Sequence, residues 1–117
     1  MPAATPTVSQ HFTGKEQSVR ATYRRLLAAA RKFGRVAEDP KQTSIHLNRR
    51  IAFAGIATRK NALVLTLKAA RNIASPRVRK HERASANRWH LEIALSSPDD
   101  VDAELVTWLK EAYELSA

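Results

Sequence analysis

The stretch TSIHLNRRIAFAGIATRKNALVLTLK, residues 43–68, decides the fold because apolar residues recur at every second position in its first and last segments. The alternating positions of its first and last segments are Ile45, Leu47, Leu63, Leu65 and Leu67. Between these segments, residues 51–58 form a short, mostly apolar run that includes Phe53. Alternation and short apolar runs of this kind predict three β-strands. The links between the segments are only a few residues long, which predicts antiparallel hairpins.

A fourth strand pattern follows downstream in RWHLEIAL, residues 88–95. Its apolar side consists of Trp89, Leu91, Ile93 and Leu95, and its other side of Arg88, His90, Glu92 and Ala94. We expect the segment before this strand, around Ser75 and Pro76, to be a loop. Pro76 has no amide hydrogen to donate to a central β-ladder.

Two amphipathic patterns flank the strands and predict helices. In the first, residues 14–33, apolar residues recur at helical spacing, Thr13 and Glu16 have capping-box spacing, and Arg and Lys occupy the outer face. The second begins after SSPDD, with Ser97 as the N-cap and Pro98 at the first helical position.

These elements predict an α+β fold with the order helix, at least four antiparallel strands, helix. The simplest arrangement is a two-layer sandwich, in which a sheet of four to five strands carries the N- and C-terminal helices on one face. We assign residues 11–117 to this single domain. We expect residues 1–10 to be a disordered lead-in, since Pro2 and Pro6 disfavour helix and the segment has nothing to bury.

The composition sets bounds on function. The chain has 117 residues and no cysteine, which excludes disulfides, thiolate metal ligands and a cysteine nucleophile and is compatible with a cytoplasmic location. No apolar run approaches the roughly 18 residues of a bilayer span, so we predict no membrane partner. Residues 1–90 carry 19 Lys and Arg against four acids, a net charge of +15, whereas residues 91–117 carry one lysine against seven acids, −6. The basic part favours polyanionic partners.

The most basic segment is RNIASPRVRKHERASANRWH, residues 71–90. Its side chains suited to phosphate binding are Arg77, Arg79, Lys80 and Arg83, and hairpin residues that could extend the same surface are Arg49, Arg50, Arg59 and Lys60. We therefore predict a small binding module that contacts DNA or RNA weakly through the phosphate backbone, without sequence preference. The alternative reading is a solvated loop.

Two other functions stay open. The acids of the last helix could dock on a basic protein surface, including a second copy of this chain; they are Asp102, Glu104, Glu111 and Glu114. The sheet face without helices could bind a small molecule through His46, Arg88 and His90, which requires a concave pocket there. The alternative for that face is ordinary solvation.

Catalysis and cofactors find little support in the sequence. The four histidines are scattered, so a weak metal site requires the strands of His46 and His90 to be neighbours. No strand pattern gathers two carboxylates and a lysine as a nuclease needs, and no Gly-x-Ser-x-Gly elbow or phosphate-binding glycine loop occurs. We predict no cofactor, no metal and no catalytic residue, and a non-enzymatic role is favoured.

Four segments in order resemble a bacterial family, domain of unknown function 5655: HFTGK at 11–15, SIHLNRRIAFAGIATRKNALVLTL at 44–67, SPRVRK at 75–80 and DDVDAELVTWLKEAYE at 99–114. The resemblance covers about residues 11–115. It implies a small α+β domain that acts as an accessory or binding module. It implies no catalytic residue.

Overall fold

The computed structural model describes residues 5–117. A 3₁₀ helix, Ser9–Phe12, precedes α1, Gln17–Arg31, and a second 3₁₀ helix, Pro98–Asp100, precedes α2, Ala103–Glu114. Of the lead-in predicted over residues 1–10, residues 1–4 lie outside the described residues. Its last two residues, Ser9 and Gln10, belong to the first 3₁₀ helix, and Gln10 exchanges hydrogen bonds between backbone and side chain with Thr7, which precedes that helix.

In chain order, six strands lie between α1 and α2, and they form one antiparallel sheet. They are β1 Ala37–Pro40, β2 Ile45–Asn48, β3 Ala52–Thr58, β4 Leu63–Ala69, β5 Val78–Ser85 and β6 Arg88–Leu95, in the spatial order β1-β2-β3-β4-β6-β5. Both helices pack against the same side of the sheet, and together they form one hydrophobic core. The predicted α+β fold is confirmed, and the predicted count of four to five strands is too low.

The two strands that the sequence pattern missed are the two edges of the sheet. We expected a loop where β5 lies, because VRKHERAS has no alternation of apolar and polar residues. Only its first residue, Val78, is buried, since the helices pack mainly on β3 and β4 and not on this edge. Its charged side chains and two register irregularities are features that protect an exposed edge from pairing with other chains. β1 is short and ends in Pro40, which is also typical of an edge strand.

The core confirms the alternation that the sequence predicted. The predicted inward residues Ile45, Leu47, Phe53, Leu63, Leu65, Leu67, Leu91, Ile93 and Leu95 are all buried. Trp89 is the exception and is half-buried. It lies near the start of β6 in register with Arg83 on the exposed edge, and the Arg83 guanidinium lies 5.9 Å from the centre of its ring.

A β-bulge between β2 and β3 changes which residues of β3 face the helices. Leu47 pairs with Ala54 whereas Asn48 pairs with Ala52, so Phe53 is an extra residue in the ladder. Phe53 and Ala54 are consequently both buried. Simple alternation from Phe53 would have turned Gly55 towards the helices. The bulge turns it to the other face, where it pairs with His46.

The helix starts differ from the predicted ones. α1 begins at Gln17 after Glu16, whose side chain makes no capping bond. Ser97 and Asp100 do form a capping box, but it caps the 3₁₀ helix, and α2 starts later with Asp102 as its N-cap. Within residues 5–117, no helix combines the length and the apolar composition that crossing a bilayer requires.

Candidate functional site on the open sheet face

The sheet face that carries no helix presents one row of side chains across all six strands. The row consists of Asp39, His46, Gly55, Thr66, Glu92 and Lys80, each in register with the next. Gly55 has no side chain, so the row has a gap at β3. A Cβ placed on Gly55 would touch only His46, at 3.9 Å from Cδ2, which leaves room above the strand.

This gap is part of a trough along β3. Ala52, Gly55 and Ala57 are the residues of β3 that face outward, and all three are small. The cavity above them has a volume of about 340 Å³. Val64 is only 6% exposed although it lies on the open side of β4, in register with Ala57, so the floor is sheltered from solvent at this position. We call this cavity the β3 trough.

The polar side chains of the β3 trough are mostly neutral or cationic. Its lining includes Ser44, His46, Thr66, Lys68 and His90, of which each is half-buried. Lys68 and His90 lie in register on neighbouring strands at one end of the trough. No carboxylate lines it within residues 5–117.

The acids beside this lining each lie close to a basic side chain; Glu92, in register with the lining residue Thr66, lies 3.8 Å from Arg79. Asp39, in register with His46, lies 3.0 Å from the Lys41 ammonium, and this hydrogen bond lowers the pKa of Asp39. On the β5 side, Glu82 lies 3.7 Å from the imidazole of His90. The trough is therefore suited to an anionic group more than to a cationic one.

The three residues predicted for the open face have different positions. His46 and His90 line the β3 trough, as a binding role there requires. Arg88 shares their face but is exposed at the start of β6, where it donates to the carbonyl of Asn87 at 2.8 Å. It is not among the lining residues.

A metal site between His46 and His90 would require their strands to be neighbours, and they are not. β2 and β6 are separated by β3 and β4, so three strand spacings lie between His46 and His90. At the usual spacing this is about 14 Å, too far for two ligands of one ion. Within residues 5–117, no group of three or more His, Cys, Asp or Glu is placed to hold a metal ion.

Arg77, a predicted phosphate ligand, is held by the protein itself. Its Nη1 donates to Asp102 Oδ1 at 2.9 Å and to Glu104 Oε1 at 3.1 Å. Its Nη2 donates to the Asp100 carbonyl at 2.8 Å, and the guanidinium lies 5.7 Å from the Trp108 ring centre. The Asp102 bond raises the pKa of Arg77. The pKa of Asp102 is lowered, first by the backbone N–H of Leu105 and then by Arg77.

We expect Arg77→Ala to lower the free energy of unfolding by about 1–2 kcal/mol, because it removes charge-assisted bonds to half-exposed carboxylates. Arg79→Ala is the matched control. Arg79 is exposed and lies 3.8 Å from Glu92, so we expect a change within about 0.5 kcal/mol. Urea unfolding of both variants measures this difference. Equal stability of the two variants would contradict the structural role of Arg77.

The other predicted basic residues do not converge on one surface. Arg49 and Arg50 lie in the β2–β3 turn, whereas Arg59 and Lys60 lie in the β3–β4 turn at the opposite end of the sheet. The length of β3 separates the two turns by about 20 Å. Arg49 also lies over the Tyr113 ring, 4.3 Å from its centre.

The remaining predicted cations are on the edge strand β5. Lys80 belongs to the open face, in register with Glu92. Arg83 belongs to the helix side, where it donates to the carbonyls of Ser85 and Ala86. Alternation along β5 thus divides these cations between the two faces of the sheet.

Alternation along β4 places Lys68 on the open face, but sequence reasoning did not identify the floor of the trough or assign Lys68 a binding role. The available signal was the row of small residues in IAFAGIAT, which lies in an otherwise large-residue strand pattern. Small residues on an exposed sheet face leave space that larger neighbours enclose. Without the bulge, the same pattern would have placed Gly55 on the helix side.

A family model described as Domain of unknown function (DUF5655) matches residues 8–116, nearly the whole chain. The chain belongs to the DUF5655 family. The resemblance noted in its sequence is thereby confirmed. No curated protein and no solved structure matches the chain. The proposals for this DUF5655 domain accordingly rest on its own geometry.

Proposed function

We propose that this DUF5655 domain is a binding module for a small molecule that has an apolar body and one anionic group. The β3 trough is the observation that carries the proposal. It supplies a concave, largely apolar floor with a few polar groups around it, which is the usual make-up of a ligand site.

The size of the trough supports a small ligand. Ligand pockets commonly have volumes of about 300–1,000 Å³, and the trough, with about 340 Å³, lies at the lower end of that range. Ala52, Gly55 and Ala57 would contact the apolar body, since their short side chains let it approach the backbone of β3. A single ring with one substituent has dimensions suited to this space.

The charges around the trough support an anionic group on the ligand. Lys68 can offer an ammonium, while His46 and His90 can donate from imidazole nitrogens. Lys68 and His90 are register neighbours, so both can reach one carboxylate or phosphate at that end of the trough. His46 lies on the other wall and can contact the ligand body or a second polar atom.

The two other hypotheses stay predictions with less geometric support. The cations predicted to bind phosphate are spread over two sheet ends and two sheet faces, and Arg77 is engaged with α2. Several acids proposed to dock on a partner are also engaged, since Asp102 and Glu104 bind Arg77 and Glu111 lies 3.4 Å from Arg71. The acidic last helix is therefore partly neutralised within its own chain.

The test uses benzoate and its neutral analogue benzamide as probes in a titration followed by amide NMR. We expect benzoate to shift the amide signals of Gly55, Thr66 and Lys68, with a dissociation constant at least about tenfold lower than that of benzamide. Lys68→Gln should bring the two probes to similar affinity, because it removes the ammonium and keeps a polar side chain. Shifts scattered over the surface, or none, would refute the proposed site.

Filling the floor provides the variant test. We expect Gly55→Val to reduce benzoate affinity at least about tenfold, because the added methyl groups occupy the cavity. A glycine inside a strand costs about 0.5–1 kcal/mol, so the variant should be at least as stable as the parent. Ala94→Val is the matched control, since Ala94 is on the same face but does not line the trough. Equal losses in both variants would contradict the proposal.

A further inference from the structure

The outer surface of α1 concentrates positive charge that the site above does not use. Its cations are Arg20, Arg24, Arg25, Arg31 and Lys32, which we call the α1 basic face. The helix Gln17–Arg31 contains no acidic residue. These five cations lie on one helix surface, whereas the cations of the sheet are dispersed over its two ends and two faces.

Helical geometry aligns the members of the α1 basic face. At 3.6 residues per turn, Arg20, Arg24 and Arg31 fall within about 40° of one another, and Lys32 and Arg25 follow on the same half of the helix. The residues that α1 buries lie on the other half: Val19, Thr22, Tyr23, Leu26 and Ala30. Arg20 and Arg31 are about 16 Å apart along the axis. The face points away from the sheet and therefore away from the β3 trough.

The cations of this face are weakly held by their own chain. Arg25 lies 3.7 Å from Asp99, and Arg31 lies 3.6 Å from Glu38, with the arginine side chains about half exposed. Exposed pairs at such distances contribute little and are readily replaced. Within residues 5–117, Arg24 and Lys32 form no ion pair with a carboxylate.

Arg20 is the member with a defined orientation. It donates to Ser9 Oγ at 3.0 Å, and its guanidinium lies 5.5 Å from the centre of the Phe12 ring. Arg20 and Arg24 also flank a shallow depression over Gln17 and Ala21. Two guanidinium groups beside such a depression leave space for a phosphate group.

We infer that the α1 basic face binds the phosphate backbone of a nucleic acid without preference for base sequence. This inference does not rest on the proposed function. Aligned arginines without neighbouring acids complement a chain of phosphates. A membrane surface is a poorer partner, because an interfacial helix also needs large apolar side chains to insert. The exposed uncharged residues among these cations are Gln17, Ala21 and Ala28. The large exposed apolar residue of the described chain, Ile51, lies in the β2–β3 turn.

The test measures fluorescence anisotropy of labelled DNA and RNA duplexes of mixed sequence, from about 50 to about 200 mM salt. Three to four phosphate contacts predict that log K falls with log salt with a slope of about −3. We expect the double variant Arg24→Ala/Lys32→Ala to bind at least about tenfold more weakly and to have a slope closer to zero by about 1.8. Different base sequences should bind alike.

The matched control is Arg59→Ala/Lys60→Ala, which removes the same charge at exposed positions on the end of the sheet. We expect its affinity to change less than about threefold and its slope to stay the same. Equal losses in the two double variants would overturn the assignment to α1, as would tighter binding to anionic vesicles than to either duplex. Absence of duplex binding at low salt would also overturn it.

Two further measurements keep the outcome specific. Thermal melts establish that both variants are folded, and alanine on α1 is compatible with this because it has the highest helix propensity. Benzoate binding of the α1 variant should equal that of the parent, since the β3 trough lies on the opposite side of the molecule. Failure of one site thus leaves the other proposal to be judged separately.

Discussion

Phe53→Ala is expected to lower the free energy of unfolding by about 3–5 kcal/mol, the usual cost of truncating a buried phenylalanine. Phe53 is fully buried, and its ring meets the Tyr113 ring edge to face with centroids 5.3 Å apart. Phe53 is also the extra residue of the β-bulge, and this bulge places Gly55 on the open face of the sheet. Urea unfolding gives the free energy, and a melt should show a fall of more than about 10 °C.

Ile51→Ala is the control for this prediction, since it removes a large apolar side chain only two residues away. Ile51 is 53% exposed, so we expect a change within about 0.5 kcal/mol. If Ile51→Ala and Phe53→Ala cost the same, the bulge register is wrong. In that case Gly55 would not lie on the open face, and the β3 trough would lose its floor.

Gly34→Ala should cost about 2–4 kcal/mol, because backbone strain and a steric clash act together. Gly34 has a backbone φ of +153°, a value that residues with a side chain rarely adopt. A Cβ there would lie 2.5 Å from Tyr113 Oη. Tyr113 is buried and donates from Oη to the carbonyl of Arg35 at 3.1 Å, so moving its ring would disturb that bond and the packing with Phe53.

Gly14→Ala separates the two contributions. Gly14 also has a positive φ, +74°, but nothing lies within 4 Å of a Cβ placed on it. We expect this variant to lose about 1 kcal/mol from backbone strain alone. Urea unfolding of both variants should therefore place Gly34→Ala clearly below Gly14→Ala. The reverse order would show that Tyr113 does not pack against Gly34.

Part of the candidate site follows from the sequence because side-chain direction in a strand is local. His46 alternates with Ile45 and Leu47, and His90 alternates with Trp89 and Leu91, so burial of the aliphatic residues turns both imidazoles outward. The requirement of a pocket could also be stated from sequence. Its existence could not, since it depends on how small residues of β3 lie between larger residues of β2 and β4.

A basic residue in the sequence does not reveal whether its side chain is free to bind a ligand or is paired within the protein. Arg77 and Arg79 are equivalent in sequence, yet Arg77 is fixed by Asp102 and Glu104, more than twenty residues later, and Arg79 is exposed. The edge strand β5 was missed for a related reason. The helices cover little of β5, so its residues do not alternate between apolar and polar. Its pairing with β6 therefore cannot be recognised from the sequence of β5 alone.

The sequence by itself determined what neighbouring residues decide: the strand faces, the amphipathic helices, the α+β class and the surplus of positive charge. Periods of two and 3.6 residues are local, so burial of one face can be inferred from them. The tertiary structure alone decided the strand order, the bulge at Phe53 and the partners of Arg77. These depend on pairings between residues far apart in the chain, and a period within one segment carries no information about which distant segment will pair with it.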